Sequence, residues 1–167
     1  MSKIEQKMNI ELTKAQFLAL LKAVYLGNWM ANANRGGRAE DPHKEEYEAI
    51  EDFIFSHAKQ FGFGELVDEE DASEGKFFPT RKFEEETDVS ELRDEYDEET
   101  FWDELIDRLG ERDFYQHYSK DEIQKMNDDE RFTKRIECED KWGEEFEKYG
   151  IERLEVLKQA KDFGINI

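Results

Sequence analysis

The 167-residue chain has one cysteine, two prolines, three histidines and no long hydrophobic run. Cys138 stands alone, so no intrachain disulfide can form, which fits a reducing compartment. No stretch approaches the length of a membrane span. The N-terminus lacks the apolar segment of a secretory signal. Together these absences predict a soluble, cytoplasmic protein. Sequence signatures of catalysis are missing as well. There is no glycine-rich phosphate loop, no Gly-x-Ser-x-Gly, no His-Glu-x-x-His and no Cys-x-x-Cys. A calcium loop starting at Asp68 would need glycine at its sixth position and glutamate at its twelfth, but Ser73 and Pro79 stand there. The sequence therefore singles out no catalytic residue, no metal-ligand set and no cofactor.

Positive charge is scarce. Lys and Arg number 24 against 44 Asp and Glu, for a formal net charge of −20. Charged residues make up 41% of the chain, a composition that pulls toward disorder. The opposing pull comes from 13 Phe, 6 Tyr and 3 Trp, rings that need burial. A folded acidic domain with a solvated segment reconciles the two. The excess is uneven: Glu65 to Glu104 holds 18 acidic and 4 basic residues, whereas the chain before it holds 9 and 8.

Thr13 to Ala33 is the most strongly patterned stretch. Thr13 and Gln16 have the spacing of a capping box, and Leu12 with Phe17 that of a hydrophobic staple. Phe17, Leu20, Leu21, Val24, Tyr25 and Trp29 then recur at helical spacing, which predicts a central helix covered on much of its circumference. Asp41-Pro42 reads as the start of a second helix, with Asp41 as N-cap and Tyr47, Ile50, Phe53, Ile54, His57, Ala58 and Phe61 on its inner face. Gly62 reads as its C-cap, and a short connection makes the two helices antiparallel neighbours.

The segment 63–100 reads as irregular and acidic, with Phe77 and Phe78 laid on the core and a thin helix over Glu84 to Glu99. Phe101, Trp102, Leu105, Ile106 and Leu109 predict another helix, which Gly110 either ends or interrupts. Ser119 with Glu122 forms a second capping box, and Asn127 caps a longer helix that Gly150 closes. In the tail, Phe163, Ile165 and Ile167 alternate like a short strand that could pair with Ile10 to Leu12. The fold expected is mainly α: a single domain, 1–167, of five or six helices, with a minor two-stranded sheet formed by the termini.

Two functional readings follow. In the first, the protein is an interaction or regulatory protein that presents an acidic face to a basic protein partner. The face is assigned to Glu84, Glu85, Glu86, Asp94, Glu95, Asp97, Glu98 and Glu99. Solubility alone accounts for the same charge. Nucleic acid and anionic membranes are disfavoured as direct partners, because their phosphates would be repelled. The second reading is a small enzyme using His57 or His117 with a carboxylate, in a cleft beside Tyr25, Asn28 and Asn32. Separately, Arg35 and Arg38 flank Gly36-Gly37 as a small anion site, although a solvated helix connection needs the same residues. Cys138, between Glu137 and Glu139, reads as a small buried hydrophobe rather than a reactive thiol.

Overall fold

A computed structural model describes residues 9–71 and 75–155. Its described residues form six α-helices and one small two-stranded sheet, a mainly α fold. The contacts divide at Glu95 into two compact units. Among the described residues no helix is long and apolar enough to cross a membrane.

In the first unit, helix α1 spans Lys14–Asn32 and opens with the expected capping box. Thr13 Oγ1 accepts from Gln16 N at 3.3 Å, and Gln16 Oε1 accepts from Thr13 N at 2.9 Å. The fully covered stripe is only Phe17, Leu21 and Tyr25, one residue per turn. The helix is therefore covered on one side, not around most of its circumference. Helix α2 spans Glu45–Phe55 and a 3-10 turn spans Ala58–Phe61. Gly62 caps that turn at φ 76°, a conformation glycine adopts without strain. The pair is antiparallel, since Asn28 reaches Glu51 while Asn32, further along α1, reaches Lys44.

Three expectations for α2 fail. It ends at Phe55 with C-cap Ser56, so Gly62 closes the separate 3-10 turn and not this helix. It starts three residues after Asp41-Pro42, at N-cap Lys44, because the Asp41 side chain is bound elsewhere. Its inner face is met only in part: Ile54, Ala58 and Phe61 pack on the core as expected, but Glu51 and Phe55 are buried where Tyr47, Ile50 and Phe53 were expected and are exposed. The stripe richer in apolar residues faces out because Phe55 fills the centre of the core and a partner on α1 satisfies Glu51.

The segment 63–100 is largely regular, not irregular. Strand β1 (Val67–Asp71) pairs antiparallel with β2 (Lys76–Pro79), with a register shift between Glu69 and Asp71. The minor sheet is thus this hairpin. Of the terminal strands expected, Ile10 to Leu12 is irregular and 163–167 lies outside the described residues. The run Val67-Asp-Glu-Glu-Asp has no alternation of its own; pairing with β2 makes it a strand. Phe77 packs on the core while Phe78 points out, as strand alternation requires. Asp52 Oδ1 accepts from Phe77 N at 2.8 Å and ties the hairpin to α2. Thr80 then caps α3 (Arg81–Glu86), which drives Phe83 into the core beside Val89.

Helix α4 is continuous from Val89 to His117 and replaces the two helices expected there. Its turns beyond Glu95 belong to the second unit, with α5 (Lys120–Lys125) and α6 (Asp128–Tyr149). Both later helices begin with capping boxes, at Ser119 with Glu122 and at Asn127 with Glu130. Gly150 ends α6 at φ 53°. The core of this unit is small: Phe114, Cys138 and Phe146 are buried, with Trp142 stacked on Phe146 at 5.5 Å. Gly110 lies inside α4, buried where the backbone of Glu139 in α6 packs against it. Burial comes first among the causes that raise the Cys138 thiol pKa, and Asp113, Glu137 and Glu139 add to it against Lys141, so this is an inert thiol.

Candidate functional site

The polar groups of α1 converge on one network in the first unit. Tyr25 donates its hydroxyl to Glu84 Oε1 at 2.9 Å and accepts from Arg93 at 2.9 Å. The Arg93 guanidinium also lies over the rings of Tyr25 and Trp29, 5.9 Å from each. Burial, then the bond to Glu84, pushes the Tyr25 phenol up to about 12, and Arg93 only partly opposes them. A phenol held protonated in this way is a hydrogen-bond donor at neutral pH and no nucleophile. A spectrophotometric titration should show a tyrosine ionising at about pH 12, and Tyr25→Phe should remove that phase. A phase near pH 12 that is missing from the wild type, or that persists in Tyr25→Phe, would contradict this environment.

One turn on, Asn28 Nδ2 donates to Glu51, and Asn28 Oδ1 accepts from Asn32 Nδ2 at 2.7 Å. Asn32 Oδ1 in turn accepts from the backbone N–H of Lys44 at 2.7 Å. The two amides are therefore a relay across the α1–α2 seam, and α2 takes up the groups that a ligand would have used. Among the described residues no buried side-chain nitrogen or oxygen lacks a partner. Glu51 is the residue that sequence reasoning missed. Burial raises its pKa to about 7, and the charges of Asp52 and Glu48 add to this, while the Asn28 bond works against it. Its spacing of four from Phe55 was the available signal, hidden among the other acids of α2.

The histidines do not join this network. His57 Nδ1 lies 2.8 Å from the Phe53 carbonyl oxygen and 3.0 Å from Ser56 Oγ. His117 is exposed at the end of α4 beside the Tyr118 ring. No carboxylate pairs with either one among the described residues. The remaining histidine, His43, pairs with Glu48 at 2.6 Å on the surface. No group of three or more potential metal ligands occurs among the described residues.

The arginine turn carries its own anion. Asp41 accepts from Gly36 N at 2.9 Å and from Arg35 at 3.2 Å, so the position expected for a ligand is taken by a carboxylate of the chain. Arg35 also donates to the Ala31 carbonyl at 3.0 Å, while Arg38 is exposed. In the second unit, a cleft of about 560 Å³ is bordered by Arg112, Trp142 and Arg153. There Arg112 is held by Asp113 at 2.7 Å and Arg153 by Glu145 at 3.2 Å.

The acidic residues fall into two groups. Glu84 is half-buried against Tyr25, Glu85 pairs with Arg81 at 2.6 Å and Glu86 lies 3.8 Å from Lys82. These three radiate from a short helix and make no common face. Asp94, Glu95, Asp97, Glu98 and Glu99 are all exposed on α4. At 100° per residue they cover one side of that helix, with Val89, Leu92 and Tyr96 on the other. Glu98 accepts from the Trp102 indole at 2.7 Å. The other four have no cation partner among the described residues. No known protein family, curated protein or solved structure matches this chain.

Proposed function

We propose that this is a non-enzymatic interaction or regulatory protein that holds a basic protein partner against the acidic side of α4. The observation that carries this reading is the uncompensated charge of Asp94, Glu95, Asp97 and Glu99. Acids elsewhere on the helices lie next to cations that pair with them, as Asp88 does with Lys22, Glu104 with Arg108 and Glu139 with Arg135, each at 2.8 Å, whereas these four are clustered within one stretch of α4. No lysine or arginine occurs between Arg93 and Arg108. A helix side of one sign accelerates encounter with a basic surface and leaves its attraction sensitive to salt. Glu84 is bonded to Tyr25, and Glu85 and Glu86 lie beside Arg81 and Lys82, so the reading draws on α4 and not on these three.

The test uses affinity columns of wild type and of a variant in which Asp94, Glu95, Asp97, Glu98 and Glu99 are replaced by their amides. A basic protein retained at low salt, released in a steep salt step and lost from the variant column supports the reading. Equal retention on both columns, or none on the wild type, overturns it.

A further inference from the structure

The two ends of α2 are held differently. Its apolar anchors, Ile54 and Phe55, lie at the far end, where Asp52 also binds the backbone of β2. From Lys44 to Ile50 no residue is buried, and Tyr47 and Ile50 are exposed. N-cap Lys44 makes no side-chain bond to the helix it opens. Among the described residues, the hydrogen bonds that join this end of α2 to α1 form one chain. Glu51 accepts from Asn28, Asn28 accepts from Asn32 at 2.7 Å, and Asn32 accepts from the Lys44 N–H at 2.7 Å. Glu51 is the first buried residue of α2 and the inner end of that chain.

Glu51 is 9% exposed, and among the described residues no Lys or Arg pairs with it. The groups that face it are acidic or neutral: Glu48 and Asp52 from α2 itself, Tyr25 and Asn28 from α1. Tyr25 is in turn bonded to Glu84 of α3 and Arg93 of α4. Glu48 pairs with His43, and Asp52 accepts from Phe77 N of β2. A carboxylate without a cation is costly to bury, so ionisation drives Glu51 toward water. Burial leads in raising its pKa to about 7, with Asp52 and Glu48 adding and the Asn28 bond opposing. The change of charge thus falls near neutral pH. Release of the turns before Glu51 is the least costly route to water, because those turns bury no side chain.

We infer that Glu51 is a pH-sensitive latch: loss of its proton breaks the chain of bonds through Asn28 and Asn32 to Lys44 and shifts the first unit toward a form in which the first turns of α2 are detached from α1. The rest of the unit stays folded in that form, because Leu21, Phe55, Phe83 and Val89 keep their burial. The latch is independent of the acidic side of α4 and acts on one end of one helix.

Amide hydrogen exchange followed by NMR tests it. At about pH 8 the amides of Lys44 and of Tyr47 to Ile50 should be about tenfold or more less protected than those of Leu21 to Tyr25 in α1, the mark of a local opening. From about pH 5.5 to about pH 8 their protection, corrected for intrinsic rates, should fall by about tenfold or more, the mark of Glu51 as the group released. Glu51→Gln should flatten that fall, and His43→Gln should leave it in place. Equal protection in the two helices would reduce the effect to global unfolding and overturn the latch. A local opening that does not vary with pH, or that varies as much in Glu51→Gln, overturns it as well. So does a fall that His43→Gln removes, which assigns the effect to the His43–Glu48 pair.

Discussion

Replacing Gly110 with alanine is expected to destabilise the protein, although the same change in an isolated helix stabilises. In a free helix, alanine gains about 1 kcal/mol over glycine. At Gly110 the new methyl would lie 2.5 Å from Glu139 Cγ and 3.1 Å from both the Cα and the backbone nitrogen of Glu139. The side chain of Glu139 cannot swing clear cheaply, because Arg135 holds its carboxylate at 2.8 Å. Relief requires α6 to move off α4, which loosens the small core around Phe114, Cys138 and Phe146. Overpacking of this kind costs about 1–3 kcal/mol, enough to reverse the propensity gain. Controls of opposite sign exist in the same chain. A Cβ at Gly27 in α1 or Gly143 in α6 would meet nothing within 4 Å, so Gly27→Ala and Gly143→Ala should each raise stability. Urea denaturation of the three variants checks this. A stabilised Gly110→Ala would mean that the helices do not meet there.

The second large effect is expected at Glu51, through pH. Its pKa rises from 4.5 to about 7 in the folded protein, chiefly because burial disfavours the carboxylate. Between those values the folded chain keeps a proton that the unfolded chain has released. Glu51 therefore favours folding most at low pH, and that contribution is lost as pH rises toward 7. The shift corresponds to about 3 kcal/mol across the window. Glu51→Gln keeps the shape and an oxygen for Asn28 Nδ2 to donate to, but it has no charge to desolvate. Relative to wild type, the variant should be more stable at pH 8 by about 2–3 kcal/mol, with the advantage shrinking toward zero near pH 4. Urea denaturation of both proteins at a series of pH values measures the difference. A gap independent of pH would show that Glu51 is ionised in the fold throughout.

The legible parts of the fold were those written within a few residues. The N-caps at Thr13, Ser119 and Asn127 and the C-cap at Gly150 each need only neighbours in the chain, and all stand where the pattern placed them, whereas Gly62 closes a 3-10 turn and not α2. What was illegible depended on groups outside the local pattern of each element. Asp41 looked like an N-cap, but Arg35 and Gly36 hold its carboxylate. Val67 to Asp71 looked like a solvated acidic run until β2 supplied its ladder. Counting apolar residues placed Tyr47, Ile50 and Phe53 of α2 inward in place of Glu51 and Phe55, because the count could not register that Asn28 makes a buried Glu51 tolerable. Gly110 was ambiguous for a related reason. Only the approach of α6 explains a glycine in the middle of a 29-residue helix. The functional features divide likewise. The acids of α4 could be read directly, whereas the bonds from Glu51 through Asn28 and Asn32 to Lys44 exist only once α1 and α2 meet.

The three capping boxes also bear on how the chain folds. Each closes between residues only three apart in sequence, so forming one costs almost no loop entropy. The starting points of α1, α5 and α6 are thus set before any long-range contact exists, at the speed of helix nucleation rather than that of chain collapse. The slower event in the first unit is then closure of the β1–β2 hairpin onto α2, where Phe77 must find Asp52 across 25 residues.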